Sequence, residues 1–309
     1  MDIIEQAAKR LAELRRAGVA VPAATSEVVT PVAVSTVAAP APEVTPPAAA
    51  NLSRKIELDM AAIARRGILT PQSERSQLGD ELRVIKRPLL RNVSGKGVAP
   101  VQNGNLIMIT SAVPGEGKSF TAANLAMSIA MELDHTVLLV DADVARPTLP
   151  SLFDLPPSKG LLDVLLDKDI DLSQVMLRTN VDKLSILPSG TRHPQATELL
   201  ASDAMARLLE DMANRYSDRI IIFDSPPLLV TTEARVLASH MGQVVLVVRA
   251  ERTTHAEVRH ALSFIESVPV KMLMLNQAAD RSASGHGYGY GYGYGADEKP
   301  AAAGEETLR

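Results

Sequence analysis

The chain has no cysteine and no tryptophan, and only 3% of its 309 residues are aromatic. Without cysteine, a disulfide framework and any thiolate-ligated metal site are excluded, and a reducing compartment is expected. The longest apolar runs, such as Ile220–Phe223 and Val244–Val248, fall far short of the roughly 20 residues that cross a bilayer as a helix. The opening carries Asp2 and Glu5 and lacks the apolar stretch of a secretory leader. A cytoplasmic protein is expected, tied to a membrane only through a partner. Basic charge is scarce too: a net charge of −4 argues against a dedicated nucleic-acid binder.

What is present falls into blocks. In residues 1–18, Ile4, Ala7, Ala8, Leu11 and Leu14 share one helical face, and Gly18 follows as a stop. A helix this short is marginal alone, so a surface helix and a docking helix both stay open. Residues 19–50 are rich in Pro, Ala, Val and Thr, with Glu27 and Glu43 as the charges, and read as a flexible linker. Residues 51–79 read as a short helical element around Ile56, Met60, Ile63 and Ala64. A further helix is expected to open near Asp80 and to end or kink at Pro88.

From Asn105 the pattern changes. Apolar runs at Leu106–Thr110, Thr136–Val140, Lys183–Leu187, Arg219–Phe223, Gln243–Val248 and Lys271–Leu275 alternate with helical stretches at Lys118–Glu132, Ala196–Tyr216 and Thr254–Ser267. Near-continuous apolar strands between helices predict a mostly parallel sheet covered on both faces, a doubly wound α/β domain over residues 80–280. Its ligand belongs at the carboxyl ends of the strands. Residues 281–309, rich in Gly, Ala and charge, are expected to be disordered.

Three motifs in this domain carry chemistry. Ala112-Val-Pro114-Gly115-Glu116-Gly117-Lys118-Ser119-Phe120 lies between a strand and a helix, the setting of a phosphate-binding P-loop. Its glycines turn backbone N–H groups inward, and the helix N-terminus adds its positive end. Lys118 is placed to reach the β- and γ-phosphates and Ser119 to ligate magnesium. Next, the strand ending Asp141-Ala-Asp143 sets two carboxylates on one side of an extended chain. Two such charges need a cation or donors to offset them. The third motif, Ile220-Ile-Ile-Phe-Asp224-Ser-Pro-Pro, is an apolar strand ending in the acid that orders magnesium in P-loop enzymes. Together they predict a site for ATP and Mg²⁺ in a fold of the P-loop NTPase type. Four of the five tyrosines, Tyr288, Tyr290, Tyr292 and Tyr294, alternate with glycine inside seven residues. Such a segment builds no core and threads easily into another molecule's site. Beside a P-loop it reads as a phosphoacceptor cluster.

This set resembles the bacterial tyrosine kinases over residues 80–295. Ile186-Leu-Pro-Ser-Gly190, Glu198-Leu-Leu200, Met1-Asp-Ile-Ile-Glu5 and Arg83-Val-Ile-Lys-Arg-Pro-Leu-Leu90 add to the likeness, the last two toward the autokinases of exopolysaccharide and exosortase loci. The resemblance implies autophosphorylation of the C-terminal tyrosines in trans within a ring-shaped homo-oligomer. It also implies activation by a separate transmembrane polysaccharide co-polymerase, and control of polysaccharide polymerisation and export. It implies Lys118, Asp141 and Asp143 as catalytic, with Asp141 assisting the tyrosine's deprotonation. Ser119, Asp143 and Asp224 then serve magnesium, and Asp80, Arg83 and Lys86 the ring contact. Asp80 and Lys86 stand where the family carries Glu and Arg, which shortens reach and removes bidentate geometry. Ala145 stands where it carries Arg; Arg146 follows one place later. The competing reading is a partition or positioning ATPase of the same P-loop group. Such proteins carry a second lysine early in the loop, where this chain has Val113, and that reading gives the tyrosines no role. A regulatory binder without catalysis fits Ala145 but not the intact Lys118, Asp141, Asp143 and Asp224.

Overall fold

The computed structural model describes residues 53–278 apart from 74, 98, 217 and 218. The first helix and linker expected from the sequence, and the tyrosine cluster, lie outside the described residues. Seven strands form one sheet: β1 (Leu106–Ser111), β2 (Thr136–Asp141), β3 (Leu177–Arg178), β4 (Leu184–Leu187), β5 (Arg219–Asp224), β6 (Gln243–Arg249) and β7 (Val270–Asn276). Their order is β3-β4-β2-β5-β1-β6-β7, parallel throughout except for the β3–β4 pair. β1 and β5 are buried on both faces, so their sequences are apolar without alternation. On one face Met108, Leu138, Val140 and Phe223 enter a core cluster; on the other, Ile107, Ile109, Leu139 and Ile222 enter a second. The edge strand β7 differs: Leu273 and Leu275 are exposed while Met272 and Met274 pack inward.

The helices are α1 (Met60–Arg65), α2 (Gln77–Val93), α3 (Lys118–Ala130), α4 (Leu149–Phe153), α5 (Leu161–Leu166), α6 (Leu172–Val175), α7 (Ala196–Leu200), α8 (Asp203–Arg215), α9 (Glu233–Ser239) and α10 (His255–Ser263). Two expectations are corrected. The helix thought to stop or kink at Pro88 runs on to Val93. Pro88 and Val84 lie on the exposed side, so the carbonyl that loses its donor faces water. The single helix expected over Ala196–Tyr216 is two, because Ser202 caps the N-terminus of α8 by accepting from the Met205 N–H. Within residues 51–79, Ile56, Leu58, Ile63, Ile68 and Leu69 pack into the second core. The Leu69 N–H donates to Asn124 Oδ1 at 2.8 Å, pinning it to α3. Among the described residues no helix is long and apolar enough to cross a membrane.

Candidate active site

The loop between β1 and α3 is shaped by its small residues. Ala112 is fully buried, and Gly115 and Gly117 take left-handed φ angles of 85° and 94°, which glycine adopts without steric penalty. A Cβ at Gly117 would stand 2.1 Å from Asn276 Nδ2. Gly117 is also the N-cap of α3 and has no side chain to cap the first turn, leaving that end suited to an anion.

Two P-loop residues turn their side chains elsewhere. Glu116 is buried and accepts from the Val113 N–H (2.7 Å), the Arg249 N–H (3.1 Å) and the Thr253 hydroxyl. The carbonyl of Glu116 accepts from Asn276 Nδ2 at 2.8 Å. Its carboxylate thus braces the loop from behind and leaves only its backbone for phosphate. Phe120 packs into the second core, against Gly67, and likewise has only its backbone toward the loop.

The acids converge where β2 and β5 end. Asp141 and Asp224 are register partners on neighbouring strands, and with Asp143 they are almost wholly buried. Lys118 Nζ lies 2.7 Å from Asp143 Oδ2, 3.7 Å from Asp224 Oδ1 and 3.3 Å from Ser119 Oγ. The Asp224 carboxylate accepts from Thr148 Oγ1 at 3.1 Å. Asp141 Oδ2 accepts from the Leu149 N–H at 3.2 Å, and Asp143 Oδ1 from the Arg146 N–H at 3.2 Å. Among the described residues, two buried oxygens, Asp141 Oδ1 and Asp224 Oδ1, have no hydrogen-bond partner.

One lysine therefore faces three buried carboxylates. Burial, and then Asp224, push the Asp141 carboxyl well above the usual carboxylate range; burial also raises Asp224, against the pull of Lys118. For Lys118, burial works against the ammonium, but Asp224 and Asp143 outweigh it and hold its pKa above the ordinary value. The deficit is of positive charge, and the donor set is oxygen, so the residues fit a hard divalent cation. Among the described residues no three or more His, Cys, Asp or Glu form a ready-made metal cage. That suits Mg²⁺, which is bound through one or two carboxylates together with substrate phosphates and water.

The structure thus brings together Lys118, Ser119, Asp141, Asp143 and Asp224, all foreseen from sequence. Thr148 and the Leu149 N–H were missed: nothing marks their segment as returning to the ends of β2 and β5. The three residues expected at a ring contact separate. Asp80 and Arg83 pair with each other on the exposed side of α2. Lys86 is buried, its ammonium 2.6 Å from Glu132 Oε1 and 2.8 Å from the Ser128 carbonyl. It clamps α2 to the far end of α3.

A glycine loop that opens a helix, its lysine, and acids at two adjacent strand ends define a P-loop site for transfer or hydrolysis of a nucleotide's phosphate. The family model described as "AAA domain" matches residues 104–277. Tyrosine-protein kinase YwqD of Bacillus subtilis is 38% identical over 167 residues, 54% of this chain and 69% of that protein. The kinase domain of Escherichia coli tyrosine kinase ETK superposes with a TM-score of 0.58 at 27% identity, covering 77% of this chain and 94% of that one. The chimerical protein CapA2B2 gives a TM-score of 0.56 at 29% identity, over 72% and 93%. The chain belongs to the AAA-domain family and, within it, to the bacterial tyrosine-protein kinases.

Proposed function

We propose that this chain transfers the γ-phosphoryl group of ATP to the tyrosines of its own C-terminal cluster, Tyr288, Tyr290, Tyr292 and Tyr294, on a second copy. The observation that carries this reading is the excess of buried carboxylate around Lys118, including an Asp141 with an oxygen free to accept a proton. Backbone N–H groups of residues 115–120 and the Lys118 ammonium bind the phosphates of the substrate. Ser119, Asp143 and Asp224 would hold magnesium, which would supply the positive charge the acids lack and offset the charge of the phosphates. The same Lys118 ammonium meets Asp143 and Asp224, so it links the phosphates to the acids.

The tyrosine oxygen forms its bond to the γ-phosphorus as the bond to the β–γ bridging oxygen breaks and ADP leaves. The phenol proton, with an ordinary pKa of about 10, passes to Asp141. A carboxyl raised by burial is the better acceptor for it. Each phosphate adds close to two negative charges, so a modified tail is repelled by the same acids, which favours release. The exposed Asp80–Arg83 pair on α2 is available to a neighbour in a ring, without Lys86. The kinase acts at the inner face of the plasma membrane through a separate transmembrane polysaccharide co-polymerase, and its phosphorylation cycle tunes exopolysaccharide polymerisation and export.

The test is to incubate the purified chain with ATP and Mg²⁺, with and without an activating partner segment, and to map phosphate by mass spectrometry. Phosphate on residues 288–294 is expected. ATP turnover without phosphotyrosine would sink the reading in favour of a switch ATPase.

A further inference from the structure

The carboxyl edge of the sheet orders the parts of the site by strand. The P-loop follows β1, Asp224 ends β5, Asp141 ends β2, and β4 lies next. On the other flank, β6 and β7 close against the P-loop through Glu116, Arg249, Thr253 and Asn276. An acceptor therefore meets the acids most directly from the β4 side. Val140 pairs with Leu187, so the turn at Pro188–Gly190 leaves the sheet beside the point where Asp141 leaves it.

A cleft of about 260 Å³ lies there, between residues 147–158 and residues 188–192. Its volume is under the roughly 300–1,000 Å³ of sites for whole small molecules, which suits a side chain with its flanking backbone. Pro147, Pro150, Pro156, Pro157 and Pro188 line it, with Arg192 exposed at the rim. Proline rings present stiff apolar walls for an aromatic ring, and an arginine pairs well with an aromatic face or an anion. The wall is continuous with the catalytic acids, because Thr148 and the Leu149 N–H hold Asp224 and Asp141.

The floor is rigid as well. Leu161 and Leu162 N–H groups donate to the carbonyls of Pro188 (2.8 Å) and Ser189 (3.0 Å). Asp163 accepts from the N–H groups of Gly160 (2.8 Å) and Thr191 (2.9 Å). A Cβ at Gly160 would stand 2.0 Å from the Pro188 carbonyl oxygen.

We infer that this cleft seats the Gly–Tyr segment 287–295 of a second copy, one ring at a time, and so selects the acceptor; this rests on the phosphotransfer proposed above. Tyrosine between glycines gives a ring with little flanking bulk, matching a narrow slot. The acidic pair Asp297–Glu298 follows that segment, complementary to Arg192 and to the exposed Arg146 and Lys159 nearby. The described body ends at Ala278, ten residues before Tyr288. Ten extended residues span up to about 33 Å, enough to reach a neighbouring copy.

The experiment uses the whole chain with its four tail tyrosines changed to alanine, and a labelled peptide of residues 285–298. Anisotropy gives the peptide's Kd, and steady-state kinetics with ATP and Mg²⁺ give its acceptor KM. Arg192→Glu, and Pro156→Ala with Pro157→Ala, are expected to raise both at least tenfold. The KM for ATP stays unchanged, which reports that each variant is folded. Equal binding to parent and variants, no saturable binding to the parent, or equal binding of a peptide with alanine for tyrosine would each overturn the assignment. Failure of the underlying kinase reading is separately visible, as the native chain leaving its own tyrosines unmodified.

Discussion

Lys118 is mostly buried and Lys86 buried; both are held by carboxylates, and they sit near opposite ends of the same helix, α3. Lys86 meets one glutamate, Glu132, whose side chain is 44% exposed, and one carbonyl. Charge is balanced there, and Lys86 lowers the Glu132 pKa. Lys118 meets Asp143 and Asp224 with Asp141 close behind, and two acid oxygens are left without a hydrogen bond. There burial raises the acids instead. A closed ion pair joins two helices; an excess of buried charge of one sign marks a place where something else is to bind.

The contrast can be broken from either end. Lys118→Met should have the largest effect, removing tyrosine phosphorylation by at least about 10²-fold, the scale for losing a charge-stabilising group. Lys86→Met should leave ATP binding intact in a calorimetric titration. Asp141→Asn should come next, lowering kcat by roughly 10²–10⁴-fold if the residue is the base, while raising the melting temperature at neutral pH. The sign follows from linkage. Asp141 has its folded pKa raised, so the native state binds the extra proton and stability falls as pH rises from about 3.8 through the raised pKa. The gain from Asp141→Asn should therefore shrink as pH is lowered toward 3.8; a gain that grows in acid would refute this account.

Lys86→Met should cost about 1.5–3 kcal/mol in denaturant unfolding, the range for a hydrogen bond to a charged group, reduced by the solvation open to Glu132. Its pH trend runs the other way. Glu132 is depressed from 4.5, so the pair stabilises above that value and loses its contribution as pH falls through the folded pKa. Glu116→Gln sharpens the comparison with a third case, a buried carboxylate met by neutral donors alone in the described bonds. It should raise the KM for ATP by about 3–10-fold, on the order of 1 kcal/mol, with kcat little changed.

The layered fold, and the gathering of the acids at one edge of its sheet, were legible in the sequence. Apolar strands ending in Ser111, Asp141 and Asp224 can only be read one way once a P-loop follows the first of them, because parallel strands buried on both faces put their carboxyl ends together. The short pieces between β2 and β5 were not legible. β3, α4, α5 and α6 are too brief to carry a period, and tertiary contacts override local preference there. The burial of Lys86 was not legible either, since positions three apart on α2 share a side only approximately, and the packing of α3 decided which side was inside. Ser202 ended one helix and began another by a cap that a periodic reading passes over. Only the tertiary structure turned Glu116 inward, brought Thr148 and Leu149 to the acids, and opened the proline-lined cleft beside them. Those contacts join residues 75 or more positions apart, or depend on where a loop returns, and no local pattern encodes them.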